Sequence, residues 1–281
     1  MAMASALLGV DVGFSATAKS TGLAWRLDGV GGTSLTGTTW ASRAAALPSN
    51  VLFDVVALDA PLVPVGEGIP RRSCEAAFYR GEFWNRCRPG MSHHGRGLDL
   101  RNAGRDAAEQ FSKVARPGVI VQGGVVPGVP LVEAFPNTFL GVLLPIDAYE
   151  GCGKLPKGKV RSDWLYESAV VNGVFQMLID HLGWNEPTTL QLMLRERDHD
   201  LRSALVCLLT AGFAAAGTAT IVGDEDGGWF CLPPFDLWSP WARLALELTI
   251  IQARRRGYQR LDALVGDGHF STAGSSAKAR L

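Results

Sequence analysis

Hydrophobic residues along the chain fall into short continuous runs in the first half and into longer, helically spaced runs in the second half. Short apolar or β-branched runs bounded by Gly, Pro or Asp are typical of buried strands. Only short turns separate the first three runs, which favours hairpin connections. The pattern predicts strands over residues 6–12, 20–27, 33–40, 53–61 and 131–136, and a hairpin over residues 218–233.

Apolar positions that recur every three or four residues predict the helices. The segment 198–217 is nearly all apolar after an acidic start, which predicts a buried helix, whereas 238–256 is amphipathic. Residues 84–102 are rich in Gly and Arg and match neither the strand pattern nor the helical period. Antiparallel strands followed by strands that alternate with helices predict an α/β protein, with a mixed sheet flanked by helices. The helices are predicted over 71–80, 102–115, 162–183, 198–217 and 238–256.

Composition is that of a folded protein, and net charge indicates no particular partner. Hydrophobic residues make up 47% of the 281 residues, and Lys+Arg and Asp+Glu number 27 each. The five cysteines form no CxxC pair, which favours free thiols in a reducing compartment. The first residues lack the basic segment of a signal peptide, and no uncharged apolar run approaches the roughly 18–20 residues of a membrane span. We therefore expect a cytoplasmic protein with no membrane partner.

Carboxylates stand at the ends of several predicted elements. Asp11, Asp59 and Glu133 lie at or near the ends of apolar strands, and Asp198 and Asp200 open the buried helix. Acids are depleted in strands, and a buried unpaired carboxylate is costly, so this pattern suggests that the charges converge on a cation. Mg²⁺ takes carboxylate oxygens and keeps substrate phosphates as further ligands. Each acid taken alone also fits a solvated strand end or a helix cap.

Several segments resemble a known family. The stretch "GVDVGFSATAKSTGLAW" resembles the first hairpin of the ribonuclease H-like superfamily, in which an acid on strand one binds metal ions. The chain more specifically resembles the predicted-nuclease family catalogued as domain of unknown function 429, over roughly residues 6–233. The segments that carry this resemblance are, in order, "VALDAPL", "RRSCEAAFYRGEFWNRCRPGMSHHGRGLDLR", "VEAFPNTFLGVLLP", "DHDLRSALVCLLTA" and "GDEDGGWFCLP".

The resemblance implies a ribonuclease H-like mixed sheet, with antiparallel hairpins followed by parallel strands, and a site that binds Mg²⁺ or Mn²⁺. Asp11 matches the acid of the first strand, Asp59 the acid of the "D-x-P" strand and Glu133 the acid of the "E-x-x-P" strand. These three residues and Asp200 are the expected catalytic and metal-binding residues.

The fourth acid departs from the family pattern. The family has "D-A-L" where this chain has a serine, Ser203, followed by Ala and Leu. Asp200 lies one helical turn earlier on the same face, so either Asp200 or Asp198 substitutes, or the fourth ligand is missing. His199, beside them, fits a proton shuttle or a residue at the start of the helix.

A local surplus of arginine lies between residues 71 and 105, where eight arginines face three acids. Arginine offers forked donors to phosphate, and the interleaved aromatic residues offer stacking to bases. The alternative is a salt-bridged helix with ordinary core aromatics. A zinc site of Cys74, Cys87, His93 and His94 is disfavoured, because 12 residues between the cysteines match no common ligand spacing. The predicted nucleic-acid-binding residues are Arg71, Arg72, Arg88, Arg96 and Arg101.

Three functions follow from these features. The first is a metal-dependent nuclease that hydrolyses phosphodiester bonds of DNA or RNA with metal-activated water. The second is a non-catalytic nucleic-acid or protein-binding module on the same fold. The third is an actin-like nucleotide phosphotransferase, for which residues 222–229 are the only candidate second phosphate loop. We expect one domain over 1–265 with an Arg-rich insertion at about 62–130, and a disordered tail over 266–281. Oligomeric state is left open.

Overall fold

The computed structural model describes residues 6–15, 17–62, 71–87, 90–93, 95–150, 159–265 and 268–269. These residues form an α/β protein around one mixed sheet. The strands are β1 (Ala6–Asp11), β2 (Thr21–Leu27), β3 (Val30–Thr36), β4 (Val55–Asp59), β5 (Leu131–Ala134), β6 (Thr220–Asp224), β7 (Gly228–Leu232), β8 (Asp262–Val265) and β9 (Gly268–His269). Their order in the sheet is β3-β2-β1-β4-β5-β7-β6-β8-β9.

Helices flank this sheet. They are α1 (Trp40–Ala46), α2 (Ser73–Phe78), α3 (Gly81–Arg86), α4 (Arg96–Ser112), α5 (Pro136–Gly141), α6 (Ile146–Glu150), α7 (Lys159–Val171), α8 (Val174–His181), α9 (Pro187–Arg195), α10 (His199–Ala216) and α11 (Pro240–Arg254). None of the helices in the described residues is long and apolar enough to cross a membrane.

The first three strands form antiparallel hairpins, and the centre of the sheet is parallel. The turn between β2 and β3 is two residues long, since Leu27 pairs with Val30. Its central residues Asp28 and Gly29 have φ of 46° and 93°, and a type I′ hairpin turn requires positive φ at both positions. β1 then pairs in parallel with β4, β4 with β5, and β5 with β7. The predicted class, an α/β protein with a mixed sheet flanked by helices, is confirmed.

Helix α10 packs directly on the sheet at Gly9. Leu7 and Gly9 of β1 point towards α10, while Leu8 and Val10 point to the other face, where they pack with α4 residues such as Phe111. A Cβ on Gly9 would collide with the α10 backbone around Ala204, Cys207 and Leu208. The absence of a side chain at Gly9 therefore sets how closely the buried helix approaches the strand.

Three segments differ from their predicted form. The predicted helix over 162–183 is two helices, α7 and α8, because Gly173 between them has φ of 68°, the left-handed conformation in which glycine ends a helix. The unassigned stretch 84–102 contains the end of α3 and the start of α4. β9 extends the sheet into the predicted tail, and the rest of that tail lies outside the described residues. The single-domain organisation with an insertion stays a prediction.

Candidate active site

Asp11 and Asp59 form the centre of the candidate site. They are the last residues of the adjacent parallel strands β1 and β4, and they are register partners in the sheet. Neighbouring strands lie about 4.7–4.9 Å apart, and register partners place their side chains on the same face. That face is the one covered by α10, because Gly9 precedes Asp11 by two residues. The fold thus brings these two predicted site residues together.

The electrostatics of the pair are those of a crowded, partly desolvated carboxylate site. Burial, followed by the negative charge of Glu133, raises the pKa of Asp59 to about 7. On α10, burial and the charges of Asp59 and Asp11 raise the pKa of the Cys207 thiol, so this thiol stays protonated beside the pair. A cation bound between Asp11 and Asp59 would offset the cost of ionising both carboxyl groups.

The start of α10 lies next to this pair. The carbonyl of Asp200 packs against Gly22 so closely that no Cβ could be accommodated there, and Gly22 is the register partner of Asp11. Asp198 is the N-cap: its carboxylate accepts the N–H groups of Asp200 (3.0 Å) and Leu201 (3.1 Å). Asp198 therefore caps the helix, and Asp200 is the acid of α10 whose backbone adjoins the first strand pair.

Ser203 and His199 line a small neighbouring cavity of about 10 Å³. His199 Nδ1 lies 3.1 Å from an Asp163 carboxylate oxygen, and that same oxygen accepts a 3.2 Å bond from Arg202. Ser203 is nearly buried on the same helix. The residue in the place of the family's last acid thus lines a cavity beside α5 and α7.

Glu133 lies close enough to Asp59 to raise the pKa of that carboxyl, and both line one cleft, but its own carboxylate is already bound by an arginine, contrary to the prediction that it is a metal ligand. It pairs with Leu58, one residue before Asp59, so its side chain leaves the sheet on the opposite face. There Arg72 donates to both carboxylate oxygens, at 2.7 and 2.6 Å, and the Leu62 N–H donates at 2.8 Å. The physical reason is strand register: an offset of one residue reverses the face, and a buried arginine neutralises the charge.

Arg72 is likewise not the surface phosphate contact that was predicted. It is fully buried, and besides its bonds to Glu133 it donates from Nε to the Gly227 carbonyl at 2.6 Å. All three nitrogens of its guanidinium thus donate hydrogen bonds to groups inside the protein. Arg72 therefore acts as a structural ion-pair partner of Glu133.

The other predicted nucleic-acid-binding arginines are placed differently from one another. Arg71 donates to the Met91 sulfur at 3.6 Å and lies 5.2 Å from the ring centre of Tyr79. Arg101 is half-buried and donates from Nε to Ser92 Oγ at 2.9 Å. Both residues thus make contacts within the protein, which favours the alternative interpretation of this segment as ordinary structure and not as a nucleic-acid-binding surface.

Arg96, at the start of α4, is exposed, and Arg88 lies outside the described residues.

Cys74 and Cys87 are fully buried, and burial raises the pKa of both thiols. Among the described residues, no three or more His, Cys, Asp or Glu side chains are grouped so as to hold a metal ion.

No family model matches this chain, and no curated protein or solved structure matches it either. Membership of the predicted-nuclease family therefore stays a prediction.

Arg43 supports the loop that follows Asp11, and the sequence pattern gave no signal for it because α1 was not predicted. Its guanidinium donates to the Gly13 carbonyl (3.2 Å), to Thr21 Oγ1 (3.1 Å) and to Gln110 (2.8 Å). It is 2% exposed, and burial lowers its pKa. These bonds tie the loop to β2 and α4. Because all of their acceptors are neutral oxygens, they also leave the positive charge of Arg43 buried behind the loop.

A cleft with a cavity volume of about 50 Å³ opens beside Asp59 at the carboxyl ends of β4 and β5. Its lining combines apolar side chains with charged side chains that bind one another. The residues lining it are Asp59, Ala60, Pro61, Arg72, Glu75, Gly90, Met91, Ser92, Leu100, Glu133, Phe135 and Phe230. The candidate site thus includes a carboxylate pair and an adjoining space for an organic group.

Replacing Asp59 with Asn is expected to stabilise the protein strongly at pH 8 and much less at pH 4.5. The pKa of Asp59 is about 7 in the folded protein and about 3.8 otherwise, so folding takes up a proton between these values and stability falls as pH rises. Removing this carboxyl should raise the free energy of unfolding by up to about 4 kcal/mol at pH 8, and by about 1 kcal/mol at pH 4.5. Thermal unfolding at both pH values measures this, with the exposed Asp180→Asn as control. Equal effects at both pH values would contradict the raised pKa.

Proposed function

We propose that this protein is a metal-dependent phosphodiesterase that acts on nucleic acid, on a ribonuclease H-like sheet. The observation that carries the proposal is the in-register pair Asp11–Asp59 at the carboxyl ends of adjacent parallel strands, beneath the start of α10. Strand ends at such an edge are where ligands bind in layered α/β proteins. The antiparallel hairpins followed by parallel strands agree with the expected sheet and support the same proposal.

The donor chemistry of the pair fits Mg²⁺ or Mn²⁺. Mg²⁺ is commonly held by one or two carboxylates together with water and substrate phosphates, so a pair of carboxylates meets its need without a full protein cage. Asp11 and Asp59 would be the ligands, with Asp200, whose backbone adjoins Gly22, as the candidate further ligand. Glu133 has no place in this set, because it is bound to Arg72.

A divalent ion in such a site supplies charge neutralisation and Lewis-acid polarisation of a phosphoryl oxygen. The protein's own residues would do the positioning. Asp11 and Asp59 are fixed by strand pairing, so their separation is set before a substrate arrives. Arg43 holds the backbone of the loop after Asp11, and Asp198 caps α10 so that Asp200 keeps its place.

The test is cleavage of labelled single-stranded DNA, double-stranded DNA, RNA and a DNA–RNA hybrid, with Mg²⁺ or Mn²⁺ and with a chelator. We expect cleavage of at least one substrate that requires the metal, and a loss of about 100-fold or more in Asp11→Asn and Asp59→Asn, since each removes a ligand charge. Asp180→Asn, an exposed acid on α8, is the matched control and should keep full activity.

Two outcomes would contradict the proposal. The first is cleavage that persists in both Asn variants, which would point to a contaminating nuclease or a different site. The second is binding of nucleic acid with no turnover under any metal condition. That result would favour the non-catalytic binding module, whose affinity should fall steeply with salt.

A further inference from the structure

The cleft beside Asp59 has an aromatic wall that is already fixed in place. Phe135 stacks on Phe230 with ring centres 4.8 Å apart and an angle of 9° between the planes. Phe230 is 2% exposed, whereas Phe135 is only half-buried and lines the cleft. Stacking on a buried ring holds Phe135 in one orientation, so it offers a rigid aromatic surface to a ligand.

The remaining walls favour a neutral planar group over a charged one. Pro61, Met91 and Leu100 add apolar side chains to the lining. The charged groups that line the cleft form ion pairs with one another, because Arg72 binds Glu133 and also lies 3.6 Å from Glu75.

Glu75 has further partners of its own. Its carboxylate accepts the N–H of Ser92 at 3.2 Å and also a short hydrogen bond from the Ser92 hydroxyl. A charged ligand would therefore have to compete with these bonds, whereas a flat heteroaromatic ring needs only the apolar walls. The cavity volume is small, about 50 Å³, and lies well below the roughly 300–1,000 Å³ of pockets that hold whole small molecules, so the cleft has room for no more than one flat ring.

Asp59 belongs both to the carboxylate pair and to the rim of this cleft. We propose that the cleft receives one nucleobase of the substrate, stacked on Phe135, while the adjoining phosphate lies at Asp11 and Asp59. The position of the phosphate rests on the proposed function, but the stacking site rests on the cleft alone. A base in this cleft cannot be paired in a helix, so the substrate class is single-stranded nucleic acid or a nucleotide drawn out of a duplex.

The experiment compares two probes by isothermal titration calorimetry in Mg²⁺: adenosine 5′-monophosphate, and ribose 5-phosphate, which lacks the base. The wild type should bind the nucleotide at least about tenfold more tightly. Base–aromatic stacking is worth about 1–3 kcal/mol, so Phe135→Leu should weaken nucleotide binding about 5- to 150-fold and leave ribose 5-phosphate binding unchanged. Phe135→Trp should retain nucleotide binding, because it keeps an aromatic face.

The control variant is Leu248→Ala, which truncates an exposed apolar residue of α11 and should change neither affinity. Thermal unfolding of each variant checks that the fold is kept. Equal affinity for the two probes, failure of both to bind, or equal nucleotide binding by Phe135→Leu and Phe135→Trp would each overturn the inference.

The outcomes for the cleft and for the proposed function are separable. Phe135-dependent nucleotide binding without any metal-dependent cleavage supports the cleft and contradicts the phosphodiesterase. If cleavage is lost in Asp11→Asn but nucleotide binding does not depend on Phe135, the result supports the phosphodiesterase and contradicts the base-binding cleft.

Discussion

Replacing Arg72 with Met is expected to lower the free energy of unfolding by about 3–5 kcal/mol, because it leaves Glu133 charged and unpaired in the interior. Glu133 is 2% exposed and Arg72 is 0% exposed, so water cannot replace the lost partner. Burial already raises the pKa of Glu133 and Arg72 opposes that effect, so the variant should suffer more at pH 8 than at pH 5, where Glu133 can take up a proton. Urea unfolding at the two pH values measures both effects.

Two further variants make this result specific. Adding Glu133→Gln to Arg72→Met removes the stranded charge and should recover part of the lost stability at pH 8. Arg260→Met breaks an exposed ion pair with Asp226, whose side chains are 74% and 63% exposed, and should cost at most about 1 kcal/mol. A loss of under about 1 kcal/mol in Arg72→Met would show that this ion pair is not the buried structural element described above.

Replacing Gly9 with Ala is expected to destabilise the protein by about 1–3 kcal/mol at least, because the added methyl group meets backbone atoms of α10 that cannot rotate away. The helix has to move off the sheet, and Asp200 moves with it. The expected result is therefore a lower unfolding midpoint in urea, together with a loss of the proposed metal-dependent cleavage.

Gly37→Ala is the matched control, since its new Cβ would make only ordinary contacts with Ser42 at 3.4 and 3.5 Å. That variant should keep both stability and activity within error. If Gly9→Ala were equally harmless, α10 would not be packed on β1 at the distance described.

The elements that the sequence predicted well are those whose signal is long and uninterrupted. The run around Val55–Asp59 and the apolar body of His199–Ala216 match their predicted strand and helix closely, because both are buried almost completely. Short helices such as α1 and α9 were not predicted, since two turns give too few positions for a helical period to stand out. The break at Gly173 was overlooked because an isolated glycine is compatible with a helical pattern.

Part of the candidate site could be predicted because it depends on strand ends, and part could not because it depends on register. Asp11 and Asp59 each close an apolar run, which is visible along the chain, and they meet at the same edge of the sheet. Glu133 also follows an apolar run, but its position one step out of phase appears only when β4 and β5 are paired. Its bond to Arg72 joins residues 61 positions apart, and no local pattern reveals such a contact.

The close packing of α10 on β1 has a consequence for how the protein loses function. A helix whose backbone touches the strand at Gly9 and the neighbouring strand at Gly22 cannot detach by local fraying while the sheet persists. Asp11, Asp59 and the start of α10 thus stay together until the whole native structure melts. The proposed activity and the native population should accordingly decline as a single cooperative quantity on heating.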